Sequence, residues 1–150
     1  MMTIAQLTRL PRTFGKYYDR QFLPLLERTG LSMREIHVLL FLVNHPGQDT
    51  ARDVTERRGL AKSQVSQAVE VLTGMGLLAR RADGEDRRII HLEITGQGAP
   101  LAQEALAIQA GCVRRLMAGL TEEEQAVFLD LLERVLNRME KLTLEKERFS

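Results

Sequence analysis

The apolar pattern of this chain changes period once, and that change limits what the chain can fold into. From Ser32 to Gly76 apolar residues recur at helical steps in three short runs, and from Leu77 to Ile94 they alternate as in a pair of strands. Ser32 with Glu35 three residues on predicts a capping box for the first run, whose buried side is Ile36, Leu39, Leu40 and Val43, and His45-Pro46-Gly47 stops it. A second short helix fits Thr50 to Arg58 and closes at Gly59. The third run, Lys62 to Met75, turns Val65, Ala68, Val69 and Leu72 inward, with Gly74 and Gly76 around its exit. Leu77 to Arg81 then reads as one strand, and Ile90, Leu92 and Ile94, alternating with His91 and Glu93, as a second. The polar stretch Ala82 to Arg87 between them is a hairpin loop. Three short helices followed by a hairpin with a charged tip is the order of a winged helix-turn-helix.

The flanks are helical. Ile4, Leu7, Leu10, Phe14, Tyr17, Tyr18, Phe22, Leu25 and Leu26 fall at three- and four-residue steps, with Pro11 and Pro24 expected to kink or interrupt the run before Gly30 ends it. Helix returns from Gly98. Thr121 is the N-cap of a last helix, with Glu124 as its reciprocal partner, and that helix spaces Val127, Phe128, Leu131, Leu132, Val135, Leu136, Met139 and Leu142 along more than four turns. So broad an apolar face needs another surface to cover it. The expected fold is mainly α with a small β-hairpin wing, of the α+β class.

Composition narrows the function classes. The 150 residues suffice for one ordinary domain, and 44% hydrophobic with 27% charged residues is the make-up of a folded chain. One Cys excludes an intrachain disulfide framework. No run approaches the roughly 20 apolar residues of a membrane helix, and the N-terminus has no signal-peptide apolar block, so the expectation is a cytoplasmic protein without a membrane partner. His37, His45 and His91 are scattered without ligand spacing, and neither a metal nor a cofactor is expected. There is no phosphate-binding Gly loop and no nucleophile elbow, and the chain is read as no enzyme. Net charge is only +1, so the distribution of charge carries the argument. Between Arg52 and Arg88 eight basic residues (52, 57, 58, 62, 80, 81, 87, 88) face six acidic ones (53, 56, 70, 83, 85, 86). From Thr121 to Glu147 four basic residues (134, 138, 141, 146) face eight acidic ones (122, 123, 124, 130, 133, 140, 145, 147), a polarity that turns the middle of the chain toward a polyanion.

The residues suited to duplex DNA lie on the third helix and the hairpin. Lys62, Ser63, Gln64, Ser66 and Gln67 are its outward positions, short hydrogen-bonding side chains of the kind that reach base edges and phosphates, and Gln suits bidentate contact with adenine. The competing reading is a solvated helix face. Asp86, Arg87 and Arg88 stand where a wing tip meets the neighbouring minor groove, whose negative potential favours arginine, and Asp86 is placed to pair with Arg88 and hold its guanidinium. Their position, directly after a recognition-length helix and between two strands, favours DNA over a merely solvated loop.

With these residues in view the chain resembles the MarR family of bacterial regulators over nearly its whole length. The resemblance is carried by Leu31 to Glu35 with Val38-Leu39, by Ala61 to Ser66, by Leu72 to Leu78, and above all by Asp83-Gly84-Glu85-Asp86-Arg87-Arg88 followed by Leu92 and Thr95. It implies an obligate two-fold homodimer in which helices from both chain ends (1–30 and 98–150) interlock and a winged helix lobe (31–97) places its recognition helices in successive major grooves of a pseudo-palindromic site. Ser63, Gln64, Ser66 and Gln67 then fall at base or phosphate positions and Arg87 and Arg88 at the wing. Gln67 departs from the basic residue many relatives carry there. The resemblance also implies a repressor relieved by a small aromatic or amphipathic ligand, for which Phe14, Tyr17, Tyr18, His37 and Phe41 are the candidate lining. Their spacing is equally that of a helix core, and core packing is the favoured reading. Cys112, among Ala110, Val113 and Leu116, reads as an inert buried thiol away from the family's usual sensor position, with Arg114 and Arg115 near enough to lower its pKa. The rival to DNA binding is a winged helix that binds another protein, which predicts weak, salt-insensitive interaction with DNA.

Overall fold

The computed structural model describes residues 1–147, so the last three positions of the expected helical region 98–150 lie outside the described residues. Helices α1 (Ile4–Gln21), α2 (Leu23–Thr29), α3 (Met33–Asn44), α4 (Ala51–Arg58) and α5 (Lys62–Gly74) lead into strands β1 (Leu78–Ala82) and β2 (Ile90–Ile94), and α6 (Ala99–Met117) and α7 (Glu122–Glu147) follow. This is the mainly α chain with one antiparallel hairpin that the change of period demands. It divides into two compact units, Met1–Cys112 and Val113–Ser150, with the division inside α6.

The first unit holds one hydrophobic core. Phe22 and Leu25 from the N-terminal helices, Ile36, Val38, Leu39, Leu40 and Phe41 from α3, Val54 from α4, and Val65, Ala68, Val69 and Leu72 from α5 are buried together with Leu78 and Leu92 of the hairpin and Ala102, Ala105 and Cys112 of α6. Glu35 is buried among them, and its carboxylate accepts the Ser32 amide (2.6 Å) and the Ser32 hydroxyl, which satisfies the group and starts α3. Thr50 starts α4 in the same way with Asp53. Gly30 and Gly59 close α2 and α4 in the left-handed conformation.

Two expectations about boundaries need correction. Pro11 does not interrupt the first helix, because α1 runs through it to Gln21; the break comes at Phe22, and Pro24 sits in the first turn of α2, where its missing N–H costs nothing. The first strand begins at Leu78 and not at Leu77. The Leu77 amide is still tied to the Leu72 carbonyl (2.9 Å) and the Gly76 amide to Thr73 (3.0 Å), with Gly76 at φ +72°, a Schellman ending that holds Leu77 in the helix exit.

The hairpin pairs Leu78 with Ile94 and Ala82 with Ile90, and its open end is fastened to the first unit by Thr95. The Thr95 hydroxyl donates to the Gly76 carbonyl (2.6 Å) and accepts the Gly98 amide (3.0 Å). The other edge of β2 meets the loop before α4, where Thr50 bridges His91 and the Leu92 amide donates to the Asp49 carbonyl (2.7 Å).

In the second unit Thr121 and Glu124 make the expected cap, the Thr121 amide donating to the carboxylate (2.8 Å) and the Glu124 amide to the hydroxyl (3.2 Å). All eight apolar side chains singled out on α7 are solvent-exposed, from Leu132 at 37% to Val127 at 59%, so the described residues of this unit leave that face uncovered. Among the described residues no helix is long and apolar enough to cross a membrane.

Candidate nucleic-acid interface

Helix α5 turns Val65, Ala68, Val69 and Leu72 into the core, and the 3.6-residue period leaves Lys62, Ser63, Gln64, Ser66 and Gln67 on the opposite side, all exposed. Its N-cap is Ala61, which has no side-chain oxygen to offer, and the Ala61 amide donates to Gln64 Oε1 (3.2 Å). Among the described residues no N-cap side chain bonds the first-turn amides of α5, a helix end suited to phosphate oxygens. Gln67 accepts from Arg34 Nη1 (2.7 Å) at the head of α3. Sequence reasoning noted the missing basic residue at Gln67 but not that a guanidinium from another helix stands beside it, since no local spacing connects residues 34 and 67.

The hairpin tip is built by carboxylates. Asp83 Oδ2 accepts the amides of Glu85 and Asp86 (both 3.0 Å), and the Asp83 amide donates to the Ile89 carbonyl (2.9 Å). Asp86 in turn accepts from the Arg88 amide (3.0 Å), Nε (3.1 Å) and Nη2 (3.3 Å), the pairing expected from sequence. These contacts hold the Asp86 carboxyl below the usual carboxylate range, while the Arg88 side chain stays 91% exposed. The pair thus orients a cation in solvent without burying it. Arg52, Arg80 and Arg81 also have carboxylate partners, in Glu56, Glu70 and Glu93.

Sequence reasoning missed His91. Its Nδ1 lies 2.6 Å from Asp49 Oδ1 and its Nε2 2.7 Å from Asp83 Oδ1, and the hydrogen bonds with Asp49 and then Asp83 raise its pKa above the usual imidazole value. The carboxyl of Asp83 is driven far down, first by the Asp86 amide and then by His91. The signal in the sequence was only an Asp at each of two positions that folding brings to one ring.

The five aromatic and histidine residues weighed as a ligand lining differ in their burial and contacts. Tyr18 and Phe41 are in the core; Phe14 on α1 and Phe22 at its C-cap flank Tyr18 with ring centroids 5.7 and 5.0 Å away, and Phe41 stacks on His45 at 4.4 Å. The Tyr17 hydroxyl donates to the Cys112 carbonyl (3.3 Å), and the Tyr18 hydroxyl accepts from Gln109 Nε2 (3.0 Å). Burial, which outweighs the Gln109 hydrogen bond, raises the Tyr18 pKa. His37 is half-buried, and burial together with the Arg58 charge lowers its pKa to about 4. A cleft of about 350 Å³ lies elsewhere in the same unit, lined by Arg28, Met75, Leu77, Gln97, Leu101 and Glu104 among others and by none of those five. Among the described residues no three His, Cys, Asp or Glu are grouped to hold a metal ion.

The helix order and the hairpin tip coincide with what comparison with known proteins finds. The family model described as MarR family matches residues 29–89, from the end of α2 to the end of the hairpin tip. The HTH-type transcriptional repressor MdtR of Bacillus subtilis (strain 168) is 31% identical over 104 residues, 69% of this chain and 66% of that one. Over this stretch the chain is similar to the MarR family. Its match thus spans just under two thirds of that repressor's length. The crystal structure of transcriptional regulator PA3341 superposes with a TM-score of 0.75 at 29% identity, covering 91% of this chain and 97% of that one. CouR from Rhodococcus jostii RHA1, solved bound to p-coumaroyl-CoA, matches with a TM-score of 0.67 at 26% identity over 86% of this chain and 87% of its own. Mostly helical with one antiparallel hairpin, the fold is that of these solved structures and matches the winged helix of MarR structures.

Proposed function

We propose that this chain is a MarR family regulator, one subunit of a cytoplasmic homodimer that binds a pseudo-palindromic operator in duplex DNA, represses transcription and is released by a small aromatic or amphipathic ligand; it is not an enzyme. The observation that carries the reading is the pairing of one exposed polar face with one oriented cation: Lys62, Ser63, Gln64, Ser66 and Gln67 on α5, and Arg88 held by Asp86 on the hairpin that follows. In this reading α5 lies in the major groove with its Gln side chains on base edges, and Arg87 and Arg88 enter the adjacent minor groove. Two copies read the two half-sites. The apolar faces of α1, where Ile4, Leu7, Leu10 and Phe14 are exposed, and of α7 are the surfaces that the second copy covers, which assigns 1–30 and 98–150 to dimerisation and 31–97 to the DNA-binding lobe. The repressor role is drawn from the MdtR likeness, and the binding of a ligand from the solved CouR complex with p-coumaroyl-CoA. Since Tyr18 and Phe41 are committed to the core, Phe14, Tyr17 and His37 are the candidate residues left to meet a ligand. Release requires that the ligand prefer a half-site spacing unlike the DNA-bound one, because equal affinity for both states shifts nothing.

The test is selection of genomic fragments by the purified protein, with Arg88→Ala in parallel and at two salt concentrations. Enrichment of an inverted repeat that the variant loses and salt weakens is the expected result. Absence of enrichment at both salts, with the protein folded, would overturn specific DNA binding and return the chain to the protein-partner reading.

A further inference from the structure

The bonds that fix the hairpin converge on a single imidazole. Asp49 comes from the loop before α4, Asp83 from the start of the hairpin tip, and His91 of β2 bridges them through both ring nitrogens at 2.6 and 2.7 Å. A neutral imidazole donates from one nitrogen only, so one of these carboxylates would face a lone pair; only the imidazolium donates to both. The other charged groups nearby are already engaged. Arg81, opposite His91 in the β1–β2 ladder and opposed to its protonation, is paired with Glu93; on α4, Asp53 accepts from Thr50, and Arg52 is paired with Glu56. From Asp83 the connection continues through the amides of Glu85 and Asp86 to the Asp86 carboxylate and so to Arg88. An unbroken series of hydrogen bonds therefore runs from the α3–α4 loop to the cation at the tip.

We propose that His91 is the positioning residue of the wing: its imidazolium, clamped between Asp49 and Asp83, sets the hairpin against the α4 side of the lobe and thereby fixes where Arg88 meets DNA. The proposal rests on the DNA-binding reading above. Its consequence is a pH dependence of known sign. The clamp is intact while His91 carries its proton, and since its pKa lies above the usual 6.5, affinity for DNA falls as pH rises through that higher value.

The experiment measures anisotropy of a fluorescein-labelled, mixed-sequence duplex long enough for two half-sites, from about pH 6 to about pH 9, with wild type, His91→Gln, Asp49→Ala and Arg88→Ala, each checked for fold by circular dichroism. His91→Gln is expected to bind about 3- to 10-fold more weakly at the acid end, the scale of losing charge-assisted hydrogen bonds, and to lack the wild-type pH profile. Asp49→Ala is the sharper variant, because it removes a negative charge. General electrostatics predicts tighter binding, and the clamp predicts weaker binding. Tighter binding by Asp49→Ala, or a wild-type profile in His91→Gln, overturns the proposal. If Arg88→Ala binds as wild type does, it is the DNA reading of the wing that fails, and the clamp is then decided by NMR. The expected signature is a His91 ring proton titrating above pH 6.5, with faster amide exchange at Glu85 and Asp86 in His91→Gln; a ring that titrates at or below 6.5 overturns the clamp whatever the protein binds.

Discussion

Two histidines of this chain answer to pH with opposite sign, and the difference lies in what surrounds each ring. His91 has a carboxylate at each nitrogen, whereas His37, half-buried on α3 beside Arg58, has its pKa lowered to about 4, chiefly by burial and then by that guanidinium, with Asp19 only partly offsetting them. A histidine whose folded pKa lies below its unfolded value binds more protons unfolded. Its stabilising effect is complete above the unfolded value of 6.5 and declines as pH falls toward 4. Urea unfolding of wild type and His37→Gln at pH 5 and pH 7, at one protein concentration, tests this. Wild type should lose about 1 kcal/mol more than the variant on going to the acid condition, a figure already reduced for the partial exposure of the ring. An equal loss in both proteins would mean that His37 titrates normally. None of this was visible in the sequence, where both residues were simply histidines without ligand spacing.

Between elements, the junction of the hairpin with α6 is where close approach leaves least freedom. A Cβ on Gly98 would stand 2.2 Å from the Leu77 carbonyl oxygen and 3.0 Å from its carbon, both backbone atoms of the helix exit, while the Gly98 amide is held by Thr95. Gly98→Ala must push the start of α6 off the α5–β1 connection and strain the Thr95 bonds to it. The expected cost is about 2–4 kcal/mol, read as a lower unfolding midpoint, whereas Gly84→Ala at the hairpin tip, with nothing within 4 Å, should stay within about 0.5 kcal/mol. Comparable midpoints for the two variants would refute the argument. Gly98 was legible only as the point where helical period resumes; that it abuts a carbonyl depends on an approach across more than twenty residues of chain. The same division holds elsewhere. The Ser32–Glu35 and Thr121 caps, the inward residues of α5 and the Asp86–Arg88 pair were readable because each is a contact between residues at most a few positions apart or a period along one helix. The Arg34–Gln67 bond, the His91 clamp and the cleft beside Arg28 were not, since each joins side chains that only tertiary packing brings together.

At the scale of the molecule, the apolar face of α7 decides whether a single chain is a complete object. Val127, Phe128, Leu131, Leu132, Val135, Leu136, Met139 and Leu142 are each between 37% and 59% exposed on one helix, and their side chains stand to gain about 1 kcal/mol apiece on full burial. A contiguous patch of this size is rarely left in water on a monomer. If a second copy covers it, Leu132→Glu with Leu136→Glu places two charges in each half of a symmetric contact, four in all. Sedimentation equilibrium at micromolar concentration should then show a monomer where wild type is a dimer. The residues of the 1–112 core are untouched by these changes, so helix content should be largely retained. Affinity for operator DNA should fall by more than about tenfold, because each recognition helix then binds its half-site without the other's help. A double variant that remains dimeric would place the symmetric contact elsewhere. One that is monomeric yet binds DNA undiminished would show that a single winged lobe suffices and that the two-fold operator reading is wrong.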